Sequence, residues 1–339
     1  MSTVFVSHPR DRLDMYFGAK AMRALEAIAD VRLNVEAREL TLAELVAAAD
    51  GADALIAYRQ TAAPDALFRE LPELFAFIRC AVDIRTVDVR AASSHGVLVT
   101  QASPGFVAAV AEWVVAVMID LGRGVGRYAE AARANRPLAP FVGRELRGAT
   151  LGVIGLGRIG AHLADLGLAF GMRVLATTPQ PFDDRGGRIG AVPLMEMLTE
   201  SDFVVCLAPA QPDTEKLMNT AAFAAMRRGA FFVNAARGEL VDDAALLAAL
   251  DCGHLGGCAL DVGRAPDQMP APELARHPRV IATPHIGGLT QPAIEHQALE
   301  TVAQLALLLK GEMPVGAVNP AHADRWRRWR SRQGEGGHP

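Results

Sequence analysis

Residues 150–160 read TLGVIGLGRIG, an aliphatic, strand-like run that passes directly into three glycines spaced G-x-G-x-x-G. A helical pattern follows at once, with Ile159, Leu163, Leu166 and Phe170 spaced 4, 3 and 4 apart. Strand, glycine loop and helix in that order form the dinucleotide fingerprint in the context it requires. Gly155 permits the tight turn, Gly157 lets a pyrophosphate approach the backbone, and Gly160 lets helix pack on strand. The pyrophosphate is expected on the N-terminus of the helix that starts near Arg158. Such a unit belongs to a parallel sheet with crossover helices, so the chain is expected to be α/β.

The rest of the chain repeats the alternation. VFVS, VRLNV, DALIAY and FAFIRC are separated by helical patterns, and a second series runs through RVLATT, FVVCLA, AFFVNAA, GGCALDV and VIATPH. At 339 residues the chain exceeds one hydrophobic core, so two doubly wound, Rossmann-like parallel-sheet domains with a cleft between them are expected. Residues 104–125, PGFVAAVAEWVVAVMIDLGRGV, form a helical pattern too apolar to cover one face with polar groups. It is expected to be buried between domains or subunits.

Composition excludes several classes. A formal charge of −4 gives no electrostatic reason to seek nucleic acid or a membrane. No run approaches the roughly 18 apolar residues of a membrane span, and MSTVFVSHPRDRLD lacks the pattern of a secretory signal. The expected location is the cytoplasm. Cys80, Cys206, Cys252 and Cys258 have no CxxC spacing and sit within or beside apolar strand-like runs, so they are expected to be reduced core thiols, with no disulfide or metal site. The tail DRWRRWRSRQGEGGHP holds five arginines and two tryptophans in 16 residues. Such a mixture could bind nucleic acid or anionic lipid, but residues 321–339 are expected to be a flexible tail, a frayed helix followed by a disordered, Gly-containing end.

The strand after the glycine loop ends in Thr177 and Thr178, where an acidic residue would take the ribose hydroxyls of NAD. Two hydroxyls without a carboxylate do not repel a 2'-phosphate, and Arg185 and Arg188 follow. The reading leans to NADP over NAD.

LRGATLGVIGLGRIG, SDFVVCLAPAQPDTEKLMN, VNAARGELVDDAALLAAL, GGCALDV and TPHIGG, in this order, resemble the D-isomer-specific 2-hydroxyacid dehydrogenases over nearly the whole chain. The resemblance implies a substrate domain made of residues 1–102 and 286–320, a cofactor domain of residues 103–285, and a homodimer. It implies that Arg237 holds a substrate carboxylate and polarises the carbonyl, which suits a forked guanidinium. His285 is implied as the acid and base of the reaction, which suits imidazole. Asp261 is implied to bond the nicotinamide carboxamide. The implied cofactor site comprises Gly155, Gly157, Arg158, Ile159, Gly160, Thr177, Thr178, Ala208, Pro209, Ala235, Ala236 and Asp261.

The sequence departs from that pattern in two places. Relatives continue D-V-F-x-x-E-P, with the Glu paired to the histidine, whereas here ALDVGRAPDQMP puts Pro266 at that position. Asp267, shifted by one, is the favoured partner of His285. The alternatives are an uncharged contact from Gln268, as in formate dehydrogenases, or no partner. Relatives also carry G-x-G-x-D-N-I-D in the first domain, whereas here AVDIRTVD leaves the amides of Ala81 and Val82 but adds Asp83, which Arg85 or Arg59 could offset. Arg59 matches a family arginine near the substrate, and Phe106 replaces a family Asn.

The expected function is hydride transfer between NAD or NADP and a small 2-hydroxy or 2-oxo acid such as glyoxylate or hydroxypyruvate. The rivals are a dehydrogenase of an unusual or non-carboxylate substrate, and a low-turnover dinucleotide sensor.

Overall fold

A computed structural model describes residues 1–265 and 268–335. The chain forms two compact units, one from Met1–Gly105 with Gln291–Pro339, the other from Phe106–Thr290. Both are parallel α/β sheets covered by helices.

In the first unit β1 (Thr3–Val6), β2 (Asp30–Leu33), β3 (Ala54–Ala57), β4 (Ala76–Arg79) and β5 (Leu98–Gln101) pair in the order β2-β1-β3-β4-β5. ALIA and AFIR are buried at every position, the burial expected of strands covered on both faces. The strand order reverses between β1 and β3, and open α/β sheets form their crevice outside the carboxyl ends at such a point. Local signals start the helices: Thr41 and Glu44 form a capping box at the helix Leu42–Ala49. The helix Gln291–Leu309 returns to this unit and packs Ala298, Val302, Leu305 and Leu308 against Val4, Val6 and Ile78.

The tail departs from expectation. The expected helix is present, over Asp324–Glu335, but it is anchored rather than frayed, and residues 336–339 lie outside the described residues. Trp326 is 5% exposed and donates from Nε1 to the Leu308 carbonyl at 3.1 Å, and Trp329 meets the Phe75 ring at 4.7 Å. Arg325 donates to the carbonyls of Phe68, Leu71 and Leu74. Ala323, Trp326 and Trp329 recur every third residue, so one apolar stripe anchors an otherwise basic helix.

In the second unit β6 (Thr150–Ile154), β7 (Arg173–Thr177), β8 (Ile189–Ala191), β9 (Phe203–Cys206), β10 (Phe231–Asn234), β11 (Gly257–Leu260) and β12 (Val280–Ala282) pair in the order β12-β11-β10-β9-β6-β7-β8. Here the reversal lies between β6 and β9. The long apolar helix is Val107–Arg123, and Val110, Ala111, Val114, Val117 and Met118 are buried within this unit's own core. Of the stripe after the glycine loop, Leu163 is fully buried, while Phe170 ends the helix 42% exposed. The four cysteines are free, and Cys252 is exposed rather than part of a core.

Candidate active site

The glycine loop lies at the reversal point of the second unit. Gly155 has φ +90°, and a Cβ there would lie 2.7 Å from Ala208 Cα, so the turn from β6 passes directly over the chain leaving β9. A Cβ on Gly160 would lie 2.3 Å from the Gly155 carbonyl oxygen. A Cβ on Gly157 would meet nothing within 4 Å, and no side chain among the described residues caps the N-terminus of Arg158–Ala169. The first-turn amides of that helix therefore face open space with the positive end of the dipole, which fits a pyrophosphate. Arg158 and Pro209 are exposed beside this space, Ile159 and Ala235 half-buried, and Ala208 and Ala236 buried.

Thr177 and Thr178 leave β7 half-buried, and the Thr177 carbonyl accepts Gly155 N at 2.9 Å. Arg185 is committed elsewhere: its guanidinium bonds Asp165 at 2.8 and 3.0 Å and Asp183 at 2.5 Å. These two carboxylates hold it well above the ordinary arginine range. Arg188 donates from Nε to the Arg185 carbonyl.

Three neighbouring strands end in the polar residues that the sequence singled out. Asn234, Leu260 and Ala282 are register partners across β10, β11 and β12. Arg237 and His285 each follow their strand's partner by three residues, and Asp261 follows Leu260 by one. Alternate strands lie about 10 Å apart, a gap suited to a small molecule between guanidinium and imidazole.

Each position is fixed locally. Asn234, 1% exposed, accepts Ala236 N at 3.1 Å and donates to the Arg237 carbonyl at 2.9 Å, which turns the chain at NAARG. The Arg237 guanidinium bonds the Ala236 carbonyl at 2.7 Å. A Cβ on Gly238 would lie 2.1 Å from Gly263 C, so the turns after β10 and β11 touch backbone to backbone. Asp261 accepts Thr283 Oγ1 at 2.6 Å, Ile286 N at 2.8 Å and Gly287 N at 2.7 Å. Within this loop His285 has φ +53°, a left-handed conformation rare outside glycine.

The loop after Asp261 answers part of the question about the histidine's partner. Pro266 and Asp267 lie outside the described residues. Gln268 closes the turn through its backbone, accepting Gly263 N and donating to Ala265 O, both at 2.7 Å, with φ +60°. Its side-chain amide makes no hydrogen bond among the described residues. Arg264 ties this loop to the carbonyls of Glu239 and Val241 and to Glu215.

In the first unit, residues leaving β1, β3 and β4 meet at the reversal point. Ser7 Oγ bonds Thr61 Oγ1 at 2.8 Å and accepts Tyr58 N at 2.9 Å. His8 is fully enclosed against Phe17 and Tyr58, and burial, aided by the Arg79 charge, pushes its pKa down to about 3, so it is neutral. Burial also pushes the Tyr58 phenol up to about 12. Arg59 is half-buried, its guanidinium 5.8 Å from the Tyr16 ring centre. The amides of Ala81 and Val82 donate to no group among the described residues. Asp83 is paired with Arg85 at 2.9–3.2 Å. Sequence reasoning missed Asn234, Thr283, His8 and Tyr58; each is a polar residue at or just past the end of a strand, which was the available signal.

Comparison with known proteins follows the same outline. The family described as D-isomer specific 2-hydroxyacid dehydrogenase, NAD binding domain, matches residues 115–287. The D-3-phosphoglycerate dehydrogenase of Bacillus subtilis (strain 168) is 34% identical over 272 residues, 79% of this chain and 51% of that protein. That of Synechocystis is 31% identical over 283 residues, 83% of this chain and 51% of its own. The chain thus spans about half the length of these curated relatives. A Thermus thermophilus protein of known structure is 33% identical with a TM-score of 0.81, covering 93% of this chain and 99% of that one. The Aquifex aeolicus D-lactate dehydrogenase, solved with NAD and lactic acid, is 27% identical with a TM-score of 0.76, covering 92% and 96%. Since the matched residues run from within the long apolar helix through the glycine loop to the loop of His285, they take in all three polar strand ends, and the chain belongs to the D-isomer-specific 2-hydroxyacid dehydrogenase family.

Proposed function

We propose that the protein catalyses hydride transfer between a nicotinamide dinucleotide and a small 2-hydroxy or 2-oxo acid. The observation that carries this reading is the placement of Arg237, Asp261 and His285 at the carboxyl ends of three adjacent strands, in one unit with an open glycine loop. When bound, the nicotinamide supplies or accepts the hydride. Arg237 forks onto the substrate carboxylate and draws charge from the neighbouring carbonyl. Imidazolium His285 gives its proton to the carbonyl oxygen as the carbon is reduced, leaving a hydroxyl and a neutral ring; oxidation reverses the transfer. Asp261 bonds the carboxamide, and Asp267 pairs with His285. Arg59 and the amides of Ala81 and Val82 are the first unit's substrate contacts. Because Asp83 is neutralised by Arg85, it gives little reason to prefer a cationic or non-carboxylate substrate.

The proposed acids are glyoxylate and hydroxypyruvate, with pyruvate and 3-phosphohydroxypyruvate next, because the similar proteins are named as D-lactate and D-3-phosphoglycerate dehydrogenases. NADP is favoured over NAD because β7 ends in two hydroxyls; Arg188 is the charge left to meet a 2'-phosphate. The proposed assembly is a homodimer. The test is oxidation of NADPH and NADH by the purified protein with each acid, beside His285→Ala. Turnover lost in the variant by about 10²–10⁴ supports the reading. Cofactor binding without reduction of any acid rejects it and favours a sensor.

A further inference from the structure

The least expected side chain of the first unit is Arg79, the last residue of β4. It is 0% exposed. A guanidinium in such a place is costly unless its donors are satisfied, and among the described residues no carboxylate is within ion-pair distance of it. Its terminal nitrogens are instead met by parts of two loops, while Nε has no hydrogen-bond partner among the described residues. One terminal nitrogen donates to the Tyr58 carbonyl, and the other donates to the Thr61 carbonyl at 2.7 Å and to Thr86 Oγ1 at 2.8 Å. Burial lowers its pKa to about 10, which still leaves it charged at neutral pH.

The two loops also bond each other, Ala63 N to Thr86 O and Asp88 N to Ala63 O, each at 2.9 Å. One loop carries Arg59 and the other carries Ala81 and Val82. The chain has no glycine in AVDIRTVD to shape that second loop, so a fixed conformation there must come from elsewhere. We infer that Arg79 is a positioning residue: it sets the spacing of the Tyr58–Thr61 segment and the residue 80–88 loop, and thereby the placement of the first unit's acid-binding groups. The inference rests on the proposed substrate contacts of Arg59, Ala81 and Val82. Arg79 itself is too deeply enclosed to touch a substrate.

Two variants test it. Arg79→Lys keeps the charge but cannot present the planar fork. Thr86→Val removes one acceptor and leaves Arg79 in place. Hydrogen exchange is measured on the protein alone at the amides of Thr61, Ala63, Val87 and Asp88, with those of Phe5 and Leu55 as controls. In Arg79→Lys the four loop amides are expected to exchange about tenfold faster with the controls unchanged, and Thr86→Val should do the same to a smaller degree. KM for the 2-oxo acid should rise by about tenfold, with kcat and the KM for the cofactor nearly constant. Unchanged exchange in both variants overturns the brace whether or not an acid substrate exists. Faster exchange with an unchanged KM for the acid makes Arg79 merely structural. A wild-type protein inactive on every 2-oxo acid overturns the substrate reading and this role together, and the exchange data identify that failure because they need no substrate.

Discussion

Both carboxylate oxygens of Asp261 grip the backbone that carries His285: Oδ1 takes Ile286 N at 2.8 Å and Thr283 Oγ1 at 2.6 Å, and Oδ2 takes Gly287 N at 2.7 Å. The residues on either side of the histidine are thus tied to the end of the neighbouring strand, which stabilises its left-handed backbone. Asparagine can accept at one atom only, so Asp261→Asn leaves a buried N–H facing an NH2 group, at a cost of roughly 1–3 kcal/mol. The melting temperature should fall by several degrees and kcat by about tenfold, since small displacements of a reacting group are expensive. A lowered melting temperature with an unchanged kcat would show that the loop does not position the acid.

Gly157 separates binding from folding. Its φ of −75° suits any residue, and an added methyl group would meet nothing within 4 Å. Gly157→Ala should therefore fold with wild-type stability yet bind NADH and NADPH about tenfold or more weakly, because the methyl group intrudes where the pyrophosphate approaches. Titration of cofactor fluorescence beside a urea melt decides the matter; equal affinity in the variant would move the pyrophosphate elsewhere.

The neutral, enclosed His8 predicts a pH dependence. Its folded pKa of about 3 lies below the ordinary 6.5, so the unfolded chain binds the extra proton as pH falls below 6.5. The folded state therefore loses stability from pH 6.5 downward until its own pKa is reached, by about 2 kcal/mol at pH 5. His8→Phe removes that slope and fills a similar space between Phe17 and Tyr58. Between pH 7 and 5 the urea midpoint of the wild type should drop more than that of the variant; parallel drops would mean that His8 titrates normally.

Trp326 anchors the final helix. Trp326→Ala should cost roughly 3–5 kcal/mol of first-unit stability through the lost burial and the cavity left behind. A change in denaturation midpoint equivalent to less than about 1 kcal/mol would show the helix to be dispensable.

What is legible in the sequence follows from how local each signal is. The glycine loop, Arg237 and His285 are read from short motifs next to apolar runs, and the structure places them at strand ends. Short strands carry weaker patterns, and β5 and β8 do not stand out from their surroundings. In the sequence Arg79 is one arginine among many, because its burial depends on Tyr58, Thr61 and Thr86, none of them adjacent to it. The tail reads as frayed because five arginines mask the three-residue spacing of Ala323, Trp326 and Trp329. Asp267 and Pro266 lie outside the described residues, so the favoured partner of His285 stands as a proposal.

The first unit is interrupted after Gly105 and resumes at Gln291, whereas the second is continuous. On a ribosome making about 5–20 residues per second, the first five strands emerge tens of seconds before the helix that buries Val4, Val6 and Ile78. During that interval the part of that sheet face covered by the helix is open to solvent or to whatever binds nascent chains. The inserted unit is complete first, so the unit whose strands are made earlier is the later of the two to complete its core.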